Sequence, residues 1–338
     1  MFRSWLLAVM AVLMVIPLSG CIIIAPGGLL GDRSDYAELE LESGHFGKKI
    51  LVLDVDGVIT SGPQSSPGLF SNGDSTVNEV AEKLAKAKED SSIKAVVLRI
   101  DSPGGGVTAS DVVYRLLKEY KAETNVPIYV SMLDMSTSGG YYIAMAGDRV
   151  YAHPTTVTGS IGVIAMFPQF QNLGNKIGMY AEIIKSGPNK DLTGGFINMT
   201  PEQRQILQTM IDQMYERFLA VVKEGRPNLA TERIRELADG RIYTAQQAVD
   251  NQLIDGIKYT DEVIEQARID TGARRARVVL YRRTNRETTE SYYAKSGSVA
   301  PSAENAGTTN NVSLLHIDAS SIALPGVGQP VFQYMWTP

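Results

Sequence analysis

From residue 50 to about residue 283, short apolar runs rich in β-branched residues alternate with stretches of helical period, and that alternation restricts the chain to an α/β fold with mainly parallel strands. The runs at 50–55, 95–100 and 161–166 (I-L-V-L-D-V, A-V-V-L-R-I and I-G-V-I-A-M) are almost continuously apolar, as strands covered on both faces should be. Further strands are expected at 128–132, 149–153 and 180–185. The helix starts between them are readable. Thr76 and Glu79 make a capping box, with Val77, Val80 and Leu84 as the buried stripe. Thr200, Pro201 and Gln203 open the longest helix, whose stripe of Ile206, Leu207, Met210, Met214 and Phe218 reads as core. Another helix is expected to begin near Ser110.

The ends of the chain have a different character. Arg3, the uncharged apolar residues 5–18 and the small residues of L-S-G-C look like a secretion signal ending in a lipid-attachment site at Cys21, similar to a bacterial lipobox. The alternative is an uncleaved anchor, because Ile22, Ile23 and Ile24 prolong the apolar run towards the ~20 residues of a span. Pro17, Ser19 and Gly20 interrupt that run. Either reading places the body of the protein in the cell envelope, outside the cytoplasm and held at a membrane, and the favoured one does so through lipid on Cys21. Ile22 stands where an inner-membrane retention signal would carry aspartate, so an outer membrane is open too. Cys21 is the only cysteine, which excludes an intrachain disulfide. A net charge of −5 gives no nucleic-acid signal. Residues 1–20 are expected as signal peptide and 21–47 as tether. Residues 284–338 are expected as a polar, flexible linker and tail. The closing V-F-Q-Y-M-W-T-P reads as an extra strand on its own or a neighbouring subunit, and less readily as a peptide visiting a groove. Seven arginines between residues 268 and 286 read as a solvated face.

The chemistry concentrates in glycine turns. Ser138 lies in S-T-S-G-G-Y-Y-I-A and Lys190 in K-S-G-P-N-K-D. A serine hydroxyl needs a base to become a nucleophile, and a lysine can be that base when it is desolvated. With three histidines in the chain, and His153 without an obvious aspartate partner, a serine–lysine pair is the simpler reading. Ser136 and Thr137 compete with Ser138, which is favoured by the glycines that follow it. R-I-D-S-P-G-G-G follows a buried strand and lacks the lysine of a phosphate loop, so Gly104, Gly105 and Gly139 are candidates for an oxyanion hole.

These pieces occur in one order: D-G-V-I, R-I-D-S-P-G-G, S-G-G-Y-Y-I-A, A-H-P-T-T-V-T-G-S-I-G-V, K-S-G-P-N-K-D and L-A-D-G-R-I-Y-T-A-Q-Q-A. Over residues 48–270 the chain resembles the short form of the signal peptide peptidase A family of serine peptidases. The resemblance implies a Clp-peptidase/crotonase-like spiral of ββα units, with residues 48–283 as the peptidase domain. It also implies Ser138 as nucleophile, Lys190 as general base and the S-P-G-G turn as part of the oxyanion hole. Ser160, in T-G-S-I-G-V, is a candidate to orient the lysine. No metal or cofactor is expected. The partners implied are peptide substrates such as released signal peptides, and further copies of the chain in a homo-oligomeric ring, where serine and lysine can come from neighbouring subunits. Ser136 and Thr137 stand where the family more usually has small alanine-like residues.

Three other readings compete. L-V-L-D-V-D-G-V-I-T resembles the first motif of haloacid-dehalogenase phosphatases, with Asp54 as nucleophile, Asp56 as acid–base group and Mg²⁺ required, but a later acidic pair is missing. A catalytically inactive peptide-binding scaffold of the same fold is the second. An acyl-CoA-handling crotonase relative is the third, and export argues against it.

Overall fold

The computed structural model describes residues 36–62, 64–65, 72–73, 75–283 and 332–335. The expected signal peptide and Cys21 lie outside the described residues, whose first strand starts at Tyr36, within the stretch expected as tether. Strands β1 (Tyr36–Glu42) and β2 (His45–Asp56) are followed by a short antiparallel pair, β3 (Gln64–Ser65) and β4 (Asn72–Gly73), and by helix α1 (Thr76–Lys88). Then come β5 (Ile93–Ser102), β6 (Gly104–Gly106), α2 (Val107–Thr124), β7 (Ile128–Thr137), α3 (Gly139–Ala144), β8 (Arg149–Ala152), β9 (Val157–Gly159) and β10 (Ile164–Ala165). The later elements are α4 (Gln171–Ile177), α5 (Pro201–Gly225), α6 (Thr231–Leu237), β11 (Ile242–Thr244), α7 (Ala245–Asp250), β12 (Gly256–Ile257), α8 (Thr260–Asp270), β13 (Ala276–Arg283) and β14 (Phe332–Met335).

The main sheet runs β1-β13-β2-β5-β7-β8-β12, parallel along this path except for the antiparallel edge strand β1, and β9 branches from β7 with β11 antiparallel to it. Its centre explains the apolar runs. Leu51, Leu53 and Val55 enter one buried cluster with Val96, Leu98 and Ile100, under α1, α2 and α3. Ile50, Val52, Ala95 and Val97 alternate to the other face, where Val263, Ile264 and Ala267 of α8 cover them. Both faces are covered, so polar residues there need a partner, as Asp54 and Arg99 have in each other, and each fully buried aliphatic side chain contributes about 1.5–3 kcal/mol. A second, three-stranded antiparallel sheet, β10-β14-β6, stands beside it.

Several expectations need correction. The first helix is capped by Ser75, whose Oγ accepts from the Asn78 N–H at 3.2 Å, and Thr76 is its first helical residue. The helix expected near Ser110 starts at Val107. Residues 180–185 form no strand, and of 161–166 only Ile164 and Ala165 are paired. Tyr180 is 86 % and Ile184 95 % exposed, so their apolar side chains find little to pack against among the described residues. The same holds for the first half of α5. Its Thr200 capping box forms as expected, and Leu207 and Phe218 are buried, but Ile206 and Met210 are exposed. The arginine-rich stretch is not simply solvated: Arg268 is buried and donates to Glu42 (2.8 Å) and the Ala276 carbonyl (2.8 Å), while Arg277 reaches Glu40 at 3.0 Å. These bonds tie α8 and β13 to the edge strand.

Lys49 joins that edge to the loop after α1, donating to Asp90 at 2.7 Å and Glu38 at 2.6 Å. Burial raises the Asp90 carboxyl pKa, but the bonds from Lys49 and Ser92 outweigh it and hold the carboxyl below its ordinary value. A carboxyl depressed in the folded state stabilises the fold above its unfolded pKa of about 4, and that stability is lost as pH falls through the folded value. Asp90→Asn should therefore flatten the acid limb of a Tm-against-pH curve between about pH 5 and 2, with little change in its slope near neutrality. An unaltered acid limb would show that the pair contributes nothing.

Candidate active site

β7 delivers the serine. Ser136 and Thr137 still pair with Thr158 and Gly159 of β9, and the next residue leaves the sheet: Ser138 adopts φ 53°, ψ −112° and caps α3. Such a conformation costs a side-chain-bearing residue about 1–3 kcal/mol and persists only where its surroundings enforce it. Here the Ser138 N–H donates to the Gly159 carbonyl at 2.7 Å, and the Ser138 carbonyl accepts from the Tyr142 N–H at 2.9 Å. The two tyrosines of S-G-G-Y-Y anchor the turn from below. Tyr141 is fully buried and donates to the Leu253 carbonyl at 2.8 Å. Tyr142 donates to Asp111, and its ring packs 5.0 Å from that of Phe218. Asp111 also takes Arg217 Nη2 at 2.9 Å. Ser136 Oγ and Thr137 Oγ1 are buried in the sheet without a hydrogen-bond partner among the described residues.

The glycines converge on this turn. A β-carbon on Gly139 would stand 2.5 Å from Ser110 Oγ and 3.2 Å from both Gly104 Cα and Gly105 N, so only glycine permits this approach of α3 to β6. As the first helical residue, Gly139 has an N–H with no partner inside α3. A β-carbon on Gly105 would lie 2.1 Å from the Ile59 carbonyl oxygen. The Ile59 N–H donates to the Gly104 carbonyl and the Gly106 N–H to the Ile59 carbonyl, each at 2.9 Å. Backbone groups alternate along a strand, so the N–H and C=O of Gly105 face away from Ile59, into the cleft. The Gly104 N–H is accepted by Ser102 Oγ at 3.1 Å.

The D-V-D-G-V-I segment supports that turn. Asp54 receives Arg99 in a two-pronged pair (Nε–Oδ1 2.6 Å, Nη2–Oδ2 2.8 Å). The Gly57 N–H donates to the Asp101 carbonyl at 2.9 Å, and Ser102 Oγ donates to the Gly57 carbonyl at 2.6 Å. Asp54 is thus occupied by an arginine between two central strands. That explains the motif without phosphatase chemistry and corrects the reading of Asp54 as a nucleophile.

Ser160 follows the carbonyl that holds Ser138. It is buried, has φ 52°, and its N–H donates to the Arg241 carbonyl at 2.7 Å. Arg241 forks onto Asp239 (Nε–Oδ1 2.7 Å), and the arginine bonds, then a backbone N–H, pull the Asp239 carboxyl down to about 2. β11, just beyond, pairs with β9. The L-A-D-G-R-I-Y-T motif is therefore the clamp on the Gly159–Ser160 turn, a role that its residue types alone did not disclose. Gly159 is the residue missed: φ +87° and a Tyr243 ring carbon 2.5 Å from where its β-carbon would be require glycine there. Its place before Ser160 in T-G-S was the available signal.

Lys190 stands apart. Its side chain is exposed in the single chain, and no hydrogen bond joins it to Ser138 among the described residues. The neighbouring Lys185 binds Asp191 (2.7 and 2.8 Å) and the Pro188 carbonyl (3.0 Å). His153 packs edge-on against Tyr259, ring centroids 4.3 Å apart. Among the described residues no group of three His, Cys, Asp or Glu converges as a metal site, and no helix is long and apolar enough to cross a membrane. The structure thus gathers Ser138, Gly104, Gly105, Gly139 and Ser160, and leaves Lys190 at the surface.

Known proteins give this arrangement a lineage. The model of peptidase family S49 matches residues 120–274, and that of Clp protease matches residues 70–158, the span carrying both glycine turns. The Enterococcus faecium protein described as "Putative signal peptide peptidase SppA" is 35 % identical over 74 % of this chain and 71 % of its own length. A Synechocystis relative described as a "Putative protease" is 38 % identical over 62 % of this chain and 69 % of its own. Protease 4 of Haemophilus influenzae is 36 % identical over 67 % of this chain, which spans only 35 % of that longer protein. A solved ClpP1 of Listeria monocytogenes superposes with TM-score 0.42 at 16 % identity, over 63 % of this chain and 94 % of that one. With the glycine-flanked serine and the parallel α/β architecture in place, the family-model match and the Enterococcus relative establish that the chain belongs to peptidase family S49 and is a serine peptidase.

Proposed function

We propose that the chain is a membrane-tethered endopeptidase with Ser138 as nucleophile and Lys190 as general base. The observation that carries this reading is the enforced φ 53° of Ser138 at the strand–helix junction, against Gly104, Gly105 and Gly139. A side chain held at such an elbow is offered to the cleft, while Ser136 and Thr137 remain in the sheet. Lys190 takes the hydroxyl proton as Ser138 Oγ bonds to the scissile carbonyl carbon. The oxyanion meets the open N–H of Gly139 and the donor face of the Gly104–Gly105 turn. Collapse breaks the C–N bond, and the amine leaves with the proton from Lys190. Water, deprotonated by the same amine, then releases the acyl fragment and regenerates the serine. Ser160 orients the lysine amine. Lipid on Cys21 supplies the tether.

An amine acting as base has to be desolvated, and Lys190 is exposed in one chain. The segment 166–196 that carries it also exposes Met166, Leu173, Met179, Tyr180, Ile184 and Phe196. An apolar surface of this extent fits burial against a second copy, so the lysine serves the serine of a neighbour within a homo-oligomeric ring. The substrates proposed are extended apolar peptides such as released signal peptides, in keeping with the description of the Enterococcus relative. Mixing separately silent Ser138→Ala and Lys190→Ala proteins under subunit exchange is expected to restore up to about a quarter of parental turnover, because only mixed interfaces contain both residues. No recovery despite verified exchange would confine the dyad to one chain.

A further inference from the structure

The K-S-G-P-N-K-D loop carries two lysines and one carboxylate, and the carboxylate is held by the lysine that the mechanism does not use. Lys185 Nζ donates to both oxygens of Asp191 (2.7 and 2.8 Å) and to the Pro188 carbonyl (3.0 Å). From the first turn of α5, Gln203 Nε2 donates to the same two acceptors, the Pro188 carbonyl at 3.1 Å and Asp191 Oδ1 at 3.2 Å. Gln203 is buried and fixed from its other end, where Oε1 accepts from the Thr200 N–H at 3.0 Å as half of the capping box. The turn between is closed by its own backbone, with the Lys190 N–H donating to the Gly187 carbonyl at 3.2 Å. The bond from Lys185 above all, with Gln203 in support, holds the Asp191 carboxyl below its ordinary value. Lys190, next in sequence to that carboxylate, makes no side-chain hydrogen bond or ion pair among the described residues. The other charged side chains of segment 166–196 and of the first turn of α5 are Lys176, Glu182, Glu202 and Arg204. None of these four forms an ion pair among the described residues.

A lysine works as a general base only when neutral, and a carboxylate within reach favours its charged form. The flexible four-carbon stem of Lys190 lets its amine turn onto the adjacent Asp191 wherever those oxygens are open. Burial against a second copy strengthens any such pair, because charges attract more strongly as water is excluded. The base therefore needs its neighbouring carboxylate to be occupied. We propose that Lys185 and Gln203 are positioning residues for the base: by occupying Asp191 they keep that carboxylate off Lys190 and leave its amine to meet the serine. This rests on the reading of Lys190 as the general base. The same bonds close the turn and fasten it to α5, so one set of contacts fixes both where Lys190 stands and what it is kept from pairing with.

The test is the pH dependence of kcat/KM for a fluorogenic apolar peptide, measured on the full-length protein carrying Lys185→Gln. Loss of that lysine opens Asp191 to Lys190, raises the pH at which the base gives up its proton and moves the acid limb of the profile up by about one unit. Turnover below the limb should fall about tenfold and recover at high pH, with Tm and oligomeric state as in the parent. Lys185→Arg should keep the parental limb. The double variant Lys185→Gln/Asp191→Asn should bring the limb back, because the competing carboxylate is gone. A limb that stays in place in Lys185→Gln, or a double variant displaced as far as the single one, would overturn the proposal. Failure of the underlying reading looks different: Lys185→Arg dead at every pH beside an active Lys190→Ala would make Lys185 itself the base and overturn both.

Discussion

Ser138→Ala is expected to lower peptide turnover by about ten-thousand-fold or more, and Lys190→Ala by a comparable factor, since nucleophile and base act as a unit and either loss removes most of what both supply. The substitution itself is mild for the fold. Alanine deletes one oxygen at a position where the backbone is held by Gly159 and Tyr142, and no cap bond from the serine side chain is lost. Thermal unfolding and oligomeric state should therefore match the parent. Ser136→Ala and Thr137→Ala are the informative controls. Their hydroxyls are buried in the sheet beyond reach of a substrate carbonyl, so both variants should keep turnover within about tenfold of parent. Activity that survives Ser138→Ala and is lost in Ser136→Ala would move the nucleophile two residues back into β7.

The second large effect concerns stability. Asp54→Ala leaves Arg99, which is 3 % exposed between β2 and β7, without its two-pronged carboxylate. Removing one member of a buried pair leaves the other charge under-compensated, and the expected loss is about 3–5 kcal/mol. For a domain of this size that lowers Tm by roughly 6–20 °C. Peptidase activity measured well below the new Tm should fall less than in the serine variant, because Asp54 acts through the strand that holds Gly57 and Ile59 against the S-P-G-G-G turn. Unchanged thermal stability together with lost activity would give Asp54 a chemical role and sink this account of the D-V-D-G motif.

The contrast between these residues shows what a sequence makes legible. The central strands could be read from Ile50, Leu51, Val52 and Leu53, because burial on both faces makes the run almost continuously apolar and the pattern is local. The capping box at Thr200 and Gln203 was legible for the same reason, its whole geometry being contained within four residues. The run at 180–185 has strand composition but no strand partner among the described residues, so composition alone misplaced it. The half-exposed stripe of α5 fails in the same way: amphipathic spacing shows that a helix has an apolar face and not what covers it. At the site, glycine runs and a serine between them marked Ser138, Gly104, Gly105 and Gly139, and the fold brings these together. The roles of Asp54, Gly159 and Arg241 were hidden because each meets a residue remote in sequence, and Asp239 acts only through Arg241.

What this amino-acid sequence determined by itself is therefore the set of elements and the identity of the turns: parallel strands from apolar runs, helices from caps and period, close approaches from glycine. The tertiary structure alone decided the pairings. Arg99 meets Asp54 across 45 positions, Tyr141 meets the Leu253 carbonyl across 112, and Met335 meets Gly104 from the far end of the chain. Local sterics and hydrogen-bond spacing act within a few residues and so leave a signature in the sequence. Which strand edge or carboxylate a group finally meets is set by the packing of the whole fold, and no short stretch of sequence encodes it.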